Sequence, residues 1–394
     1  MDFTYPQEAE AFRKEFRAWL DENLTDDLRE LAQHPVGDDP DRIERLKEWN
    51  RTLADARYAA IAWPPEYGGR GASLMEQVVY AEEMHRARAP GTVNIIGLSN
   101  IAPAIIEHGT TEQKTTLLPR MLRGDDIWCQ GFSEPNAGSD LASLQTRAVF
   151  DGAELVVSGQ KIWTSFGNVA EFQELLVRTD PEAPRHRGIS WVICPMDSPG
   201  IDIRPITTLT GDQHFCEVFY DEVRIPLRNV VGQLHDGWRV AMATLGFERG
   251  TAFLSEQIRL ARRLEDLAAL ARSVPGPRAG RAIDDDEIGR RLALARAEVA
   301  GLRAMTYRSV SLAVRTGVPG AEASIIRLFF SELVQRIDLL ALDILGPAAV
   351  ERCEGSPAAR WADSYLAGLS QTIGGGTKDI QRNIIGDRVL GLPR

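Results

Sequence analysis

Through residue 123, apolar side chains recur at helical spacing. Phe12, Phe16, Trp19 and Leu20 fall three and four apart in EAFRKEFRAWLDENL and predict an amphipathic helix. Ile43, Leu46 and Trp49 repeat the pattern ahead of WPPEYGGRG, where Pro64, Pro65 and the glycines at 68, 69 and 71 exclude helix. Further helices are predicted over 75–84, 100–108 and 112–122, the last two stopped by Gly109 and Gly124.

After Gly124 the period changes to short β-branched runs separated by turn residues. AVFDGAELVVSGQKIW holds the hairpin dipeptide Asp151-Gly152 between apolar stretches. ELLVRTD, RGISWVICPMDSPGIDIRP and CEVFYDEVRIP follow at the spacing of antiparallel strands, predicting a β-sandwich or barrel over 124–233. From Gly237 the helical period returns in longer stretches, broken at Pro275 and Pro277. It continues to Arg315, then over 321–345 and 378–389. Asp284, Asp285, Asp286 and Glu287 open one of these helices, where four acids suit the positive end of the helix dipole better than a metal. The fold class is α+β, mostly α. A helical domain (1–123), a central antiparallel β-domain (124–233) and a C-terminal helical domain (234–394) follow one another.

Composition narrows the function. The 394 residues carry 45 Lys+Arg against 56 Asp+Glu, a formal net charge of −11. That balance argues against nucleic acid or an anionic membrane as the main partner. Cys129, Cys194, Cys216 and Cys353 lie far apart, as buried thiols of a reduced compartment would. No histidine pair has metal-ligand spacing, so no metal site is expected. The acidic N-terminus lacks a signal-peptide pattern, and no apolar run approaches the ~18 residues of a membrane span. A cytoplasmic protein is expected.

Three segments could carry chemistry. GFSEPNAGSD (131–140) offers the hydroxyls of Ser133 and Ser139 and several backbone N–H groups to a flat or anionic ligand; the alternative is an ordinary surface loop. GQKIWTSFGN (159–168) sets Trp163 beside Thr164 and Ser165 at a strand end, suited to stacking on a ring and bonding its polar edge. The alternative is Trp163 as a core anchor. SQTIGGGTKDIQRNIIG (370–386) leads three glycines and Thr377 into a helix, where unpaired N–H groups and the dipole favour phosphate or an oxyanion. It has neither G-x-G-x-x-G spacing nor a preceding strand, so a Rossmann mechanism does not apply, and a helix-entry hinge is the alternative.

In this order, flanking a β insert between helical blocks, the three segments resemble the acyl-CoA dehydrogenase family over essentially the whole chain. GFSEPNAGSD and KIWTS are the most specific parts. The resemblance implies a helical domain, a β-domain and a C-terminal four-helix bundle. It implies FAD as cofactor and α,β-dehydrogenation of an acyl-CoA thioester to the trans-2-enoyl-CoA, with electrons passing to an electron-transfer flavoprotein. Gln130, Phe132, Ser133, Gly138 and Ser139 match the family loop under the flavin's pyrimidine edge, Ser139 lying near the diphosphate or the CoA. Trp163, Thr164 and Ser165 match the segment beside flavin N5. Gly376 and Thr377 match a C-terminal flavin contact.

The chemistry needs a desolvated carboxylate to remove the α-proton. Many members carry that Glu immediately before the C-terminal Gly-Thr, where this chain has Gly375. A smaller set places it on a long C-terminal-domain helix before an Arg, which LGFERG matches with Glu248 and Arg249. The resemblance assigns Glu248 as base, Arg249 as a substrate contact, and the Gly375 N–H as a polarising donor to the thioester carbonyl.

Two family elements that grip the AMP half of a neighbour's FAD are absent. ARSVPGPRAGRAIDDDE contains no Arg-x-x-Phe-Gly, and the Gln-x-x-Gly-Gly motif appears as Asp343, Ile344, Leu345, Gly346 and Pro347. An Asp there would repel a diphosphate, and Pro removes a donor. A homologous second subunit in an α2β2 heterotetramer is therefore expected to supply these contacts, with a homotetramer as the alternative. That arrangement and the ending IGGGTKDIQRNIIGDRVLGLPR are similar to the branch acting on steroid side-chain CoA thioesters. A flavin oxidase or monooxygenase on the same fold, or a non-catalytic partner subunit, are the other functional readings.

Overall fold

The computed structural model describes residues 4–32, 39–278, 280–316, 320–351 and 356–393, with the side chains of 247–254 outside that description. Cys353 therefore lies outside the described residues, as do the side chains of Glu248 and Arg249. The chain separates into two compact units, Met1–Glu248 and Arg249–Arg394.

The first unit opens with α1 (Gln7–Asn23), α2 (Asp26–Leu31), α3 (Pro40–Asp55), α4 (Leu74–Ala87), α5 (Ala102–His108) and α6 (Thr111–Arg123). The apolar stripe of α1 buries Phe12, Phe16 and Leu20 against Trp49, Leu53, Tyr58 and Val79. Capping boxes, Ser73 with Glu76 and Thr110 with Gln113, start α4 and α6. Gly124, at φ +71°, ends α6. Glu83 on α4 is buried and binds Arg13 and Arg17 of α1 and Arg86 of α4. Burial alone would raise its carboxyl, but Arg17, Arg86 and Arg13 overcome that and hold it at about 2.

The strands β1 (Trp128–Gly131), β2 (Arg147–Asp151), β3 (Glu154–Ser165), β4 (Phe172–Arg178), β5 (Ile189–Pro195), β6 (Ile201–Ile206) and β7 (Phe215–Pro226) form one seven-stranded sheet. The β2–β3 hairpin turns on Gly152 and Ala153, with Asp151 opposite Glu154. Most pairings are antiparallel, but the sheet is mixed. β1 lies parallel to β4 from Trp128↔Phe172 to Gly131↔Leu175, and β2 touches the same edge at Arg147↔Arg178, also parallel. The intervening hairpin supplies the long crossover that parallel pairing requires. Cys129, Cys194 and Cys216 are buried thiols within this sheet's core.

The long helix α7 (Gly237–Ser273) begins in the first unit, where Val240 and Ala241 pack with Trp191. In the second unit its later turns join α8 (Asp286–Thr316), α9 (Ala323–Leu345), α10 (Pro357–Gly368) and α11 (Lys378–Ile384). Leu260, Leu264 and Leu267 meet Leu292, Val299, Phe330 and Ile337 in its core. Arg263 of α7 pairs with the buried Asp338 of α9 and stacks on Trp361 of α10. The acidic run divides its labour: Asp285 accepts the N–H groups of Glu287 and Ile288 at the start of α8, while Asp284 pairs with Arg281. Among the described residues no helix is long and apolar enough to cross a membrane. None of their side chains form a group of three or more His, Cys, Asp or Glu placed to hold a metal.

Candidate functional site

In the first unit, the loop 132–146 and the C-terminal end of β3 come together through backbone and side-chain bonds. The Ile162 N–H donates to the Ser133 carbonyl at 2.9 Å, setting Ser133 beside the Trp163–Ser165 segment. Glu134 and Ala137 exchange both backbone hydrogen bonds, folding the loop into a tight turn. At Gly138 a Cβ would meet nothing within 4 Å, so the loop crest is open, and Ser139 beside it is exposed. Phe132 is buried in the core shared with Trp128 and Trp191. The Gln130 side chain donates to Glu174 Oε1 at 2.6 Å, and the fully buried Glu174 also accepts Trp191 Nε1 at 2.9 Å.

A register shift between Lys161 and Thr164 decides what the end of β3 presents. Leu155, Val157 and Lys161 share the inward parity of the strand, which would also carry Trp163 inward. The bulge reverses it. Trp163, at φ +60°, turns outward and is 56% exposed, so it is not a core anchor. Its ring meets Phe215 edge-to-face at 5.9 Å. Thr164 turns inward instead, fully buried, and its hydroxyl has no hydrogen-bond partner among the described residues. Ser165 is half-buried opposite Phe215, and the Phe166 N–H donates to the His214 carbonyl at 2.7 Å. Burial lowers the His214 imidazole's proton affinity, opposed by Asp212.

Lys161 and Glu134 were not singled out by sequence, yet they hold this arrangement together. Lys161 Nζ, fully buried, donates to Glu134 Oε1 at 2.8 Å and to the Phe132 carbonyl at 3.1 Å. Burial pulls its ammonium down to about 8 against the attraction of Glu134. Burial alone would raise the Glu134 carboxyl, but Lys161 and the N–H of Gln145 keep it below the usual range. The available signal was strand parity, which places a lysine on the buried face of β3.

In the second unit the glycine run forms a braced turn. Gly375 and Gly376 have φ +68° and +99°, and a Cβ on Gly376 would come within 2.7 Å of Gln381 Nε2. That amide, on a buried side chain, donates to the carbonyls of Gly375 and Gly376, and Arg327 donates to that of Gly374. Thr377 caps α11 through the Ile380 N–H at 3.3 Å. The helix that follows has seven residues and continues as a π turn, Ile385–Val389. Asp343, in the altered motif, pairs with Arg291 at 2.8 Å. Arg278 and Arg281 of the loop before α8 pair with Asp285 and Asp284.

The residues at the end of β3 fit a flavin. A buried orphan hydroxyl, two neighbouring serines, an open loop crest and an outward-turned indole suit a flat ring with a polar edge and an anionic tail. Comparison with known proteins identifies the family. The descriptions "Acyl-CoA dehydrogenase, N-terminal domain", "middle domain" and "C-terminal domain" match residues 6–125, 129–223 and 235–390. The acyl-CoA dehydrogenase IpdE1 of Mycobacterium tuberculosis is 42% identical over 393 residues, covering 98% of this chain and 99% of the relative. The solved structure titled "Tcur3481-Tcur3483 steroid ACAD" superposes with TM-score 0.86 at 33% identity, over the full length of both chains. The ChsE4-ChsE5 complex from M. tuberculosis does so with TM-score 0.83 at 34% identity, again over both full chains. With all three domain descriptions matched in order and a relative of this identity along its whole length, the chain belongs to the acyl-CoA dehydrogenase family, whose members are FAD-dependent oxidoreductases acting on acyl-CoA thioesters.

Proposed function

We propose that the chain catalyses α,β-dehydrogenation of an acyl-CoA thioester to the trans-2-enoyl-CoA, with Glu248 removing the α-proton. The observation that carries the reading is the end of β3, where the bulge turns Trp163 outward and leaves the Thr164 hydroxyl buried and without a partner among the described residues. FAD, when bound, supplies the acceptor for the hydride leaving the β-carbon. Trp163 covers the ring, while Ser133, Thr164 and Ser165 bond its polar edge. Gln130 and Phe132 shape the loop beneath, Gly138 and Ser139 admit the diphosphate or the CoA, and Gly376 and Thr377 match the family's C-terminal flavin contact. Arg249 orients the substrate. The Gly375 N–H polarises the thioester carbonyl and so acidifies the α-proton, a donor of the kind worth ~3 kcal/mol. Electrons then pass to an electron-transfer flavoprotein.

The related structures, a steroid ACAD and the ChsE4-ChsE5 complex, favour a steroid-derived acyl group and a homologous second subunit. The test is anaerobic titration of the flavin absorbance with steroid side-chain and fatty acyl-CoAs. Glu248→Gln is expected to keep FAD bound while slowing flavin reduction by ~10²–10⁴-fold, the usual contribution of a positioned base. Near-normal single-turnover reduction in that variant rejects the assignment. Fast reoxidation of the reduced flavin by air points instead to an oxidase or monooxygenase.

A further inference from the structure

Lys161 stands two residues before Trp163, and the proposed chemistry makes no use of it. Its ammonium is sealed from solvent, 2.8 Å from Glu134 Oε1 and 3.1 Å from the Phe132 carbonyl. Glu134 accepts the N–H of Thr146 at 2.9 Å on Oε1 and that of Gln145 at 2.6 Å on Oε2. One ion pair thus ties the beginning of the 132–146 loop, at Phe132 and Glu134, to its end, at Gln145 and Thr146. It also ties both to the middle of β3. The Ile162 N–H closes the same ring through the Ser133 carbonyl.

A buried pair of this kind gives little net stability over apolar side chains of similar volume. An apolar pair could fill the space, but it could not engage a carbonyl and two N–H groups of one loop together. The geometry points to a different use. We infer that Lys161 and Glu134 are positioning residues for the flavin, acting through the backbone of the 132–146 loop to fix Ser133 against Trp163 and Thr164. The inference rests on the flavin contacts proposed above. Ser133 and Thr164 sit on different segments, and apart from the clamp the loop is held to β3 by the Ile162–Ser133 bond and by the Thr146 hydroxyl, which donates to the Gln160 carbonyl at 3.3 Å.

The experiment uses the full chain in its flavin-loaded assembly and reads the FAD dissociation constant, the visible circular dichroism of the bound flavin and the unfolding midpoint. Lys161→Met is expected to weaken FAD binding at least tenfold and to alter the flavin dichroism. The double variant Lys161→Met/Glu134→Gln removes the buried charge imbalance. It is expected to regain most of the unfolding midpoint without regaining FAD affinity, because the Phe132 carbonyl stays unheld. That split is what a merely structural pair would not produce. Should Lys161→Met fail to fold, the double variant carries the comparison by itself. Thr164→Val serves as the control for the flavin site. If it weakens FAD binding while the double variant binds FAD with wild-type affinity and dichroism, the clamp inference is overturned and the site reading stands. If neither change affects FAD binding, both are overturned.

Discussion

A hydroxyl buried without a partner is destabilising by about 1–3 kcal/mol, so its persistence calls for something that satisfies it. Thr164 is such a residue, fully buried with Oγ1 unbonded among the described residues. Valine has nearly the same shape and no polar atom. Thr164→Val should therefore leave the unfolding midpoint of the flavin-free protein unchanged or raise it by the equivalent of ~1 kcal/mol. The same change should weaken FAD binding several-fold in equilibrium dialysis. A variant that destabilises the flavin-free protein instead would mean that Thr164 already has an internal role. The hydroxyls at 164 and 165 were readable from the sequence as a polar pair beside an aromatic. Which of them faces inward was not, because a one-residue bulge inverts the parity on which such a reading depends. Lys161 was hidden for a related reason: a lone lysine in a strand reads as solvent-facing until its carboxylate, 27 positions away, is placed beside it.

Among the elements, those with a local signal were legible and those defined by distant partners were not. The stripes of α1 and α3 and the capped starts of α4 and α6 follow from residues within a few positions of one another. α10 was not expected from the sequence, although Ala358, Trp361, Ala362, Tyr365 and Leu366 recur at helical spacing in PAARWADSYLAG. Its cue was the Ser356 cap followed by Pro357 in the first turn. The parallel seating of β1 on β4 joins residues some 44 positions apart and leaves no trace in local pattern. Between α1 and α4 the decisive contact is likewise remote, Glu83 with Arg13 and Arg17. Its effect depends on pH with a defined sign. The folded carboxyl titrates at about 2 and an unfolded glutamate near 4.5. The stabilisation is complete above the unfolded value and is lost as pH falls through about 2. Glu83→Gln should lower stability at neutral pH by on the order of 3 kcal/mol, since it removes the buried anion shared by Arg13, Arg17 and Arg86, of which Arg13 keeps Glu82 and Arg86 keeps Asp21. Chemical denaturation at pH 7 and near pH 2.5 should show the gap between variant and wild type narrowing at the lower pH.

For the whole molecule, the question is whether one kind of subunit suffices. The three-part architecture and the family were legible because each follows from long stretches of pattern. The two-subunit reading rests on a pair of altered family elements in the second unit's sequence. In the altered motif the carboxylate of Asp343 is paired with Arg291, while Arg278 and Arg281 are held by Asp285 and Asp284. Positive charge that a neighbouring flavin's diphosphate would need is thus already paired within the chain, and Asp343 adds charge of the wrong sign. Each of these pairs is at least partly exposed, so its own energy is small. What the surface offers to an anion follows the sum of nearby charge. Expressed by itself, the chain should purify with well under one FAD per subunit and little acyl-CoA-dependent flavin reduction. Co-expression with a homologous subunit that retains Arg-x-x-Phe-Gly and Gln-x-x-Gly-Gly should restore both, with the two chains co-eluting as a heterotetramer. Absorbance at 450 nm against protein concentration, with light scattering on the same peak, measures loading and stoichiometry together. A yellow, fully loaded and active homotetramer from the single chain would refute the two-subunit reading while leaving the dehydrogenase chemistry intact, because Glu248 and the β3 segment belong to this chain whichever subunit holds the AMP half.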